Sequence, residues 1–216
     1  MKRRRFLALA GTAVLLPALA GPALAAFSPP RQSDQDDLHR LEDYLTGLRS
    51  ARGRFVQRNP SGSETSGSYA LLRPGYVRFA YDPPSPTLLL ADGLNVILYD
   101  RELKEASMVP LSATPLWFLL RDRVDFAEGV TVTGIERAAG RIAVRAVQTG
   151  DADQGSLELE FSEDPLRLRR WVVNQPQGGS TEVTLQTMET GVQLNPADFR
   201  GTDLPGVGYE DRSRNR

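Results

Sequence analysis

Carboxylates are the one plentiful side chain in this sequence able to do acid–base or metal chemistry: 27 Asp and Glu accompany a single histidine, His39, and no cysteine. Without cysteine there is no thiolate nucleophile, disulfide, Cys-ligated zinc, iron–sulfur cluster or lipid-anchored N-terminal cysteine. A Ser-His-Asp triad would have to use His39, and a metal site would be built almost wholly from carboxylates. The catalytic class left open is a glycoside hydrolase working with two carboxylates. Asp82, Asp92, Asp100 and Asp122 nevertheless fall at turns or helix ends, where aspartate is expected for structural reasons. His39 lies beside an apolar helical stripe rather than on it and reads as a solvated residue. The sequence therefore predicts no enzyme, no cofactor and no metal.

The elements around these residues begin with a segment that is not part of the fold. Lys2 to Arg5 form a basic start, Phe6 to Leu16 an apolar run, and Ala23-Leu24-Ala25 a small-x-small cleavage site, together a signal peptide over residues 1–25. Pro17 and Pro22 break the apolar run short of a membrane span. Arg3-Arg4-Arg5-Phe6-Leu7 partly matches the twin-arginine export signal, and a Sec signal explains it equally well. Either route predicts the periplasm. Removing these 25 residues leaves 191, with 22 basic against 27 acidic groups and a net charge of −5. A nucleic-acid binder should be basic, so nucleic acid is not an expected partner.

The remaining chain reads as a lead over 26–33, a single domain over 34–207 and a polar tail over 208–216. Ser33 followed by Asp34, Asp36 and Asp37 predicts a helix start, with Leu38, Leu41, Leu45 and Leu48 as one apolar stripe and an end near Ser50. Arg40, Glu42, Asp43 and Arg49 are left for water. From Gly53 the period changes to 2, which predicts eleven strands: Arg52 to Asn59, Gly67 to Leu72, Tyr76 to Asp82, Thr87 to Ala91, Asn95 to Asp100, Glu105 to Val109, Val130 to Glu136, Arg141 to Gln148, Ser156 to Ser162, Leu166 to Asn174 and Glu182 to Met188. Their short connections require antiparallel neighbours. One segment interrupts them. Thr114 as cap and Pro115 at the first helical position open a helix, Leu116-Trp117-Phe118-Leu119-Leu120, that is apolar all round. Such a helix must meet apolar groups on both sides. It either plugs the barrel mouth, with the N-terminal helix over the back, or forms a lid over a cavity for an apolar ligand.

Phe55-Val56-Gln57, Arg73-Pro74-Gly75 followed by Phe79 and Tyr81, Ala91-Asp92-Gly93 leading to Tyr99-Asp100, Thr114-Pro115 before the apolar helix, and Asn195-Pro196-Ala197-Asp198-Phe199 near the end resemble, in order and spacing, the periplasmic outer-membrane lipoprotein carrier family, LolA. The resemblance covers about Asp37 to Val207. It implies a mainly β fold with a few helices: an incomplete antiparallel β-barrel of about eleven strands with a helical lid over a hydrophobic cavity. It implies a carrier that accepts acylated lipoproteins from an inner-membrane ABC transporter and hands them to an outer-membrane receptor. The receptor of that pathway needs a lipidated cysteine, which this chain lacks.

Arg73 shares strand parity with Tyr69 and Leu71, so its guanidinium points to the apolar face if the strand continues, or into solvent if Arg-Pro-Gly simply turns. The resemblance implies that Arg73 hydrogen-bonds the lid and latches it shut. Parity and the lid give Phe55, Tyr69, Leu71, Phe79, Tyr81, Leu89, Ile97, Leu116, Trp117, Leu119 and Leu120 as candidates to line an acyl-chain cavity. The same residue types at the same parity would also serve as plain core. Val77 is smaller than the side chain the family often has there, which leaves the cavity shape open. The expected state is a monomer. The alternative is a lipid-sensing or protein-interaction module of the envelope-stress regulator type, whose members carry a further domain after the carrier-like one.

Overall fold

The computed structural model describes residues 27–150, 155–204 and 207. The expected signal peptide and the tail over 208–216 lie outside them. Twelve strands form one antiparallel sheet: β1 (Ser50–Arg58), β2 (Glu64–Leu72), β3 (Tyr76–Tyr81), β4 (Thr87–Asp92), β5 (Asn95–Asp100), β6 (Glu105–Pro110), β7 (Val130–Ala138), β8 (Arg141–Gln148), β9 (Ser156–Glu163), β10 (Leu166–Asn174), β11 (Ser180–Leu185) and the two-residue β12 (Glu189–Thr190). Their order is β6-β5-β4-β3-β2-β1-β11-β10-β9-β8-β7, with β12 also on β1, so β6 and β7 are the two ends of the sheet and the barrel is incomplete. Ser28 extends the β7 edge by exchanging two backbone hydrogen bonds with Ile135, at 3.0 and 2.8 Å.

Alternation sorts the two faces. Phe55, Phe79, Ile142, Leu159, Phe161 and Trp171 meet in one inner core, and helices α1 (Gln35–Gly47) and α2 (Leu116–Leu120) pack into it through Leu41, Leu45, Leu119 and Leu120. The outer face of β7 to β11 carries a ladder of ion pairs, among them Arg141 with Glu136 and Glu160, and Arg170 with Glu160 and Glu182. These pairs are partly buried, so the cost of desolvating their charges offsets much of the attraction, and the apolar inner face carries the stability.

Several sequence expectations are corrected. The N-terminal helix spans Gln35–Gly47 rather than Ser33 to Ser50, because Ser50 already pairs with Leu72 at the start of β1. It covers the inner face, not the back. The last long strand stops at Leu185. Its continuation bulges away from β1, where Gln186 N–H and Thr187 N–H both donate to Arg54 O, and Gly53 accommodates the bulge because a Cβ there would lie 2.0 Å from Thr187 O. Pairing then resumes through β12.

The start of α1 is fixed by Asp34. Its carboxylate accepts from Arg31 N–H at 2.6 Å and from Arg137 on β7 at 2.8 Å, and these bonds hold the carboxyl below its ordinary pKa. A lowered carboxyl pKa adds stability that is present above the ordinary value and lost as pH falls through the folded value. Asp34→Asn should therefore lower the urea midpoint at pH 7. The gap to the parent should narrow steadily once the pH drops below about 4.

Candidate functional site

The inner core is not filled everywhere. A small cleft of about 40 Å³ lies between the two helices and the sheet, walled by Leu45 and Leu48 of the first helical segment, by Leu116, Leu119 and Leu120 of α2, and by Tyr69, Leu71, Val77, Phe79, Leu168, Trp171, Leu185 and Met188 from the sheet side. Arg73 is its one charged neighbour. Beneath it the aromatic rings interlock: Phe55 stands edge-on to Phe79 and Tyr81 at 4.9 and 5.1 Å between centroids, and Phe79 meets Trp171 at 6.0 Å.

Six of the eleven residues expected at a cavity line this cleft: Tyr69, Leu71, Phe79, Leu116, Leu119 and Leu120. Phe55 and Tyr81 lie below it as core, with the Tyr81 hydroxyl 2.6 Å from Gln57 Oε1. Leu89 is half-buried at the edge of the core. Ile97 is on the other face. The two-residue connection between β4 and β5 pairs Leu90 with Ile97 and Leu89 with Leu98, so Leu89 and Ile97 point oppositely. Ile97 packs instead with Leu88, Leu90, Tyr99 and Val207 on the sheet's back. Trp117 also leaves the cleft, lying under the Arg121 guanidinium at 5.2 Å and against Gly129, where a Cβ would come within 2.7 Å of the indole. Thr114 does not cap α2; its hydroxyl donates to Leu111 O at 2.9 Å and closes the preceding 3₁₀ turn.

Arg73 is buried, with 4% of its surface exposed. Its two terminal nitrogens donate to Leu45 O, in the last turn of α1, and to Arg121 O at 2.5 Å, just past α2. Both are carbonyls at helix C-termini, where the regular helical bonds run out and side-chain donors can reach the backbone; Leu45 O also accepts from Leu48 N–H at 3.2 Å. One guanidinium thus ties the ends of both helices together. Burial, and next the nearby charge of Arg49, push its pKa down to about 10, opposed by Asp122, so the group stays charged at neutral pH. Its Nε has no hydrogen-bond partner among the described residues, a buried donor that offsets part of the gain from the other two bonds.

Further bonds hold the loop after α2 against α1. Val124 N–H donates to Thr46 Oγ1 at 3.1 Å, Phe126 N–H to Glu42 Oε1 at 2.6 Å, and Arg49 pairs with Asp122 at 2.8 Å. Glu42, expected to face water, is half-buried by its bond to this loop, while Arg49 is exposed as expected. Gly75 N–H donates to Leu120 O at 2.8 Å, and Gly75 O accepts from Gly93 N–H at 3.1 Å. Gly75 has φ +89°, and a Cβ there would stand 2.8 Å from Gly93 Cα. Gly75→Ala should therefore cost on the order of 2 kcal/mol or more, read as a lower urea midpoint.

The aspartates considered for hydrolysis serve other bonds. Asp92 accepts from Leu94 and Asn95 N–H, Asp100 from Glu102 and Leu103 N–H, and Asp82 pairs with Arg54. Among the described residues no three His, Cys, Asp or Glu side chains are grouped to hold a metal ion.

Comparison with known proteins agrees with this geometry. The family model described as "Outer membrane lipoprotein carrier protein LolA" matches residues 46–202. An outer-membrane lipoprotein carrier protein of Azotobacter vinelandii is 29% identical over 201 residues, covering 84% of this chain and 94% of the relative. One from Pseudomonas fluorescens is 29% identical over 209 residues, covering 89% and 93%. These relatives are named as carriers, not as catalysts. A solved DUF1329 family protein from Desulfovibrio piger superposes with a TM-score of 0.51 at 16% identity, covering 78% of this chain and 96% of its own, a likeness of fold alone. With its match running through the helix end, Arg73, α2 and most of the sheet, the chain belongs to the outer membrane lipoprotein carrier protein family, LolA.

Proposed function

We propose that this protein is a periplasmic carrier that takes acylated lipoproteins released from the inner membrane by an ABC transporter, shields their acyl chains under its lid and delivers them to an outer-membrane receptor. The observation that carries the reading is the closed apolar cleft whose lid and α1 are joined by one buried guanidinium. Each methylene withdrawn from water is worth about 0.8 kcal/mol, so a sixteen-carbon chain represents on the order of 12 kcal/mol and needs a substitute for the bilayer to cross an aqueous space. The cleft's 40 Å³ has room for little more than a water molecule or two. Loading therefore requires α2 to lift, which breaks the Arg73 bond to Arg121 O. Reforming it favours expulsion of the cargo, as release to a receptor demands. Met188 and the leucines at the wall, adaptable in rotamer, suit chains of varied length.

The test is gel filtration of residues 26–216 mixed with one lipoprotein in its acylated and its unacylated form. Only the acylated form should co-elute. Co-elution of both, or of neither, contradicts the proposal.

A further inference from the structure

The lid helix has a second pocket on its other side. While Leu116, Leu119 and Leu120 wall the inner cleft, Trp117 and Phe118 face an open pocket of about 380 Å³ between the lid and the ends of β7 to β10. A helix of five residues is the partition between the two. The pocket floor is apolar, with Val130 and Leu157, but its rim is polar: Ser112 and Thr114 from the lid side, and Gln148, Ser156 and Asn174 from the sheet. Among the described residues none that lines it is ionisable. Glu158, behind Asn174, is already paired with Arg145 at 2.8 Å.

The polar atoms are those a neutral ligand would use. Asn174 Nδ2 donates to Ser156 Oγ at 2.9 Å and to Glu158 Oε1 at 3.0 Å, which leaves the amide oxygen as an acceptor. The side chains of Ser112 and Gln148 are exposed and have no hydrogen-bond partner among the described residues. A phospholipid head brings a phosphate, which calls for a cation that this rim does not provide. Ester and amide groups ask only for neutral donors and acceptors.

Resting on the carrier reading above, we propose that this outer pocket seats the ester- and amide-bearing head of an acylated N-terminal residue, while its chains pass under α2 into the cleft. The carrier thereby distinguishes an acylated polypeptide from a free fatty acid, which lacks the head, and from a phospholipid, whose head is anionic.

The experiment is displacement of an apolar fluorescent dye from residues 26–216 by three ligands: a synthetic triacylated cysteinyl peptide, palmitate, and phosphatidylglycerol. The lipopeptide should bind at least about tenfold tighter than either of the others. Asn174→Leu, which removes the acceptor, and Ser156→Trp, which fills the pocket, should each weaken lipopeptide binding by about five- to tenfold while palmitate binding is unchanged. Gln148→Leu and Ser112→Val, both at exposed positions, carry the same expectation in smaller measure, so misfolding of one variant does not decide the result. Lipopeptide affinity that survives all four substitutions, or phosphatidylglycerol binding equal to the lipopeptide, overturns the head site and leaves the carrier reading standing. A parent protein from which none of the three displaces dye overturns both.

Discussion

Arg73→Leu should load acylated cargo and fail to pass it on. The guanidinium gives two charge-assisted hydrogen bonds to helix-end carbonyls, each worth on the order of 1.5–3 kcal/mol, and the one to Arg121 O, beside α2, exists only with the lid closed. Their loss removes the drive to expel the ligand while leaving the apolar walls intact. Transfer to a receptor should slow by about tenfold or more, with the loaded complex accumulating. Thermal stability should change little by comparison, because leucine fills a site where the native side chain leaves a buried donor unpaired, and Leu45 O keeps its bond from Leu48 N–H. Arg73→Lys should fall between, since one ammonium cannot reach both carbonyls in the planar fork geometry of arginine. Retained cargo with near-native stability marks a latch. A variant that merely unfolds, or one that delivers normally, would remove this role from Arg73.

A second large effect is expected from fixing the lid in place. The 3.1 Å bond between Val124 N–H and Thr46 Oγ1 brings the loop after α2 against the last turn of α1, and Thr46→Cys with Val124→Cys is the pair to oxidise there, with closure of the bridge checked by thiol titration. The chain has no cysteine of its own, so the pair can form only one disulfide. Oxidised, the protein should take up no acylated cargo, because the closed cleft of about 40 Å³ admits no chain. Reduced, it should load as the parent does. The same sample in two redox states separates lid motion from any damage caused by the substitutions, and equal loading in both states would show that cargo enters without the lid lifting.

The alternating segments and the lid were legible in the sequence because period and turn chemistry are local: Tyr69, Leu71, Phe79 and the lid leucines reach the cleft as their parity predicts. Long-range features were not. Ile97 and Leu89 part company because the tightness of the β4–β5 connection, not either strand's own pattern, sets their register. Trp171 and Leu185 carry the same alternation as Phe79, but only the closure of the sheet around β1 and β11 brings them to the same cleft. Met188 had no pattern to reveal it, since it sits on a bulge that exists because Gly53 opposes it. Glu42, Arg49 and Thr46 look like ordinary surface residues of a helix and its end until the lid loop, some 70 to 85 residues on, is laid across them. Arg73 was the reverse case: parity pointed its side chain inward, and its burial against two helix ends gives that direction a purpose.

Purified residues 26–216 added to spheroplasts that are making lipoproteins would show whether this chain moves acylated proteins out of a membrane into water. Newly made lipoproteins should leave the membrane in a soluble complex with the protein, and only while the inner-membrane transporter is energised. If a folded, dye-binding preparation leaves every lipoprotein in the membrane, the carrier account is contradicted.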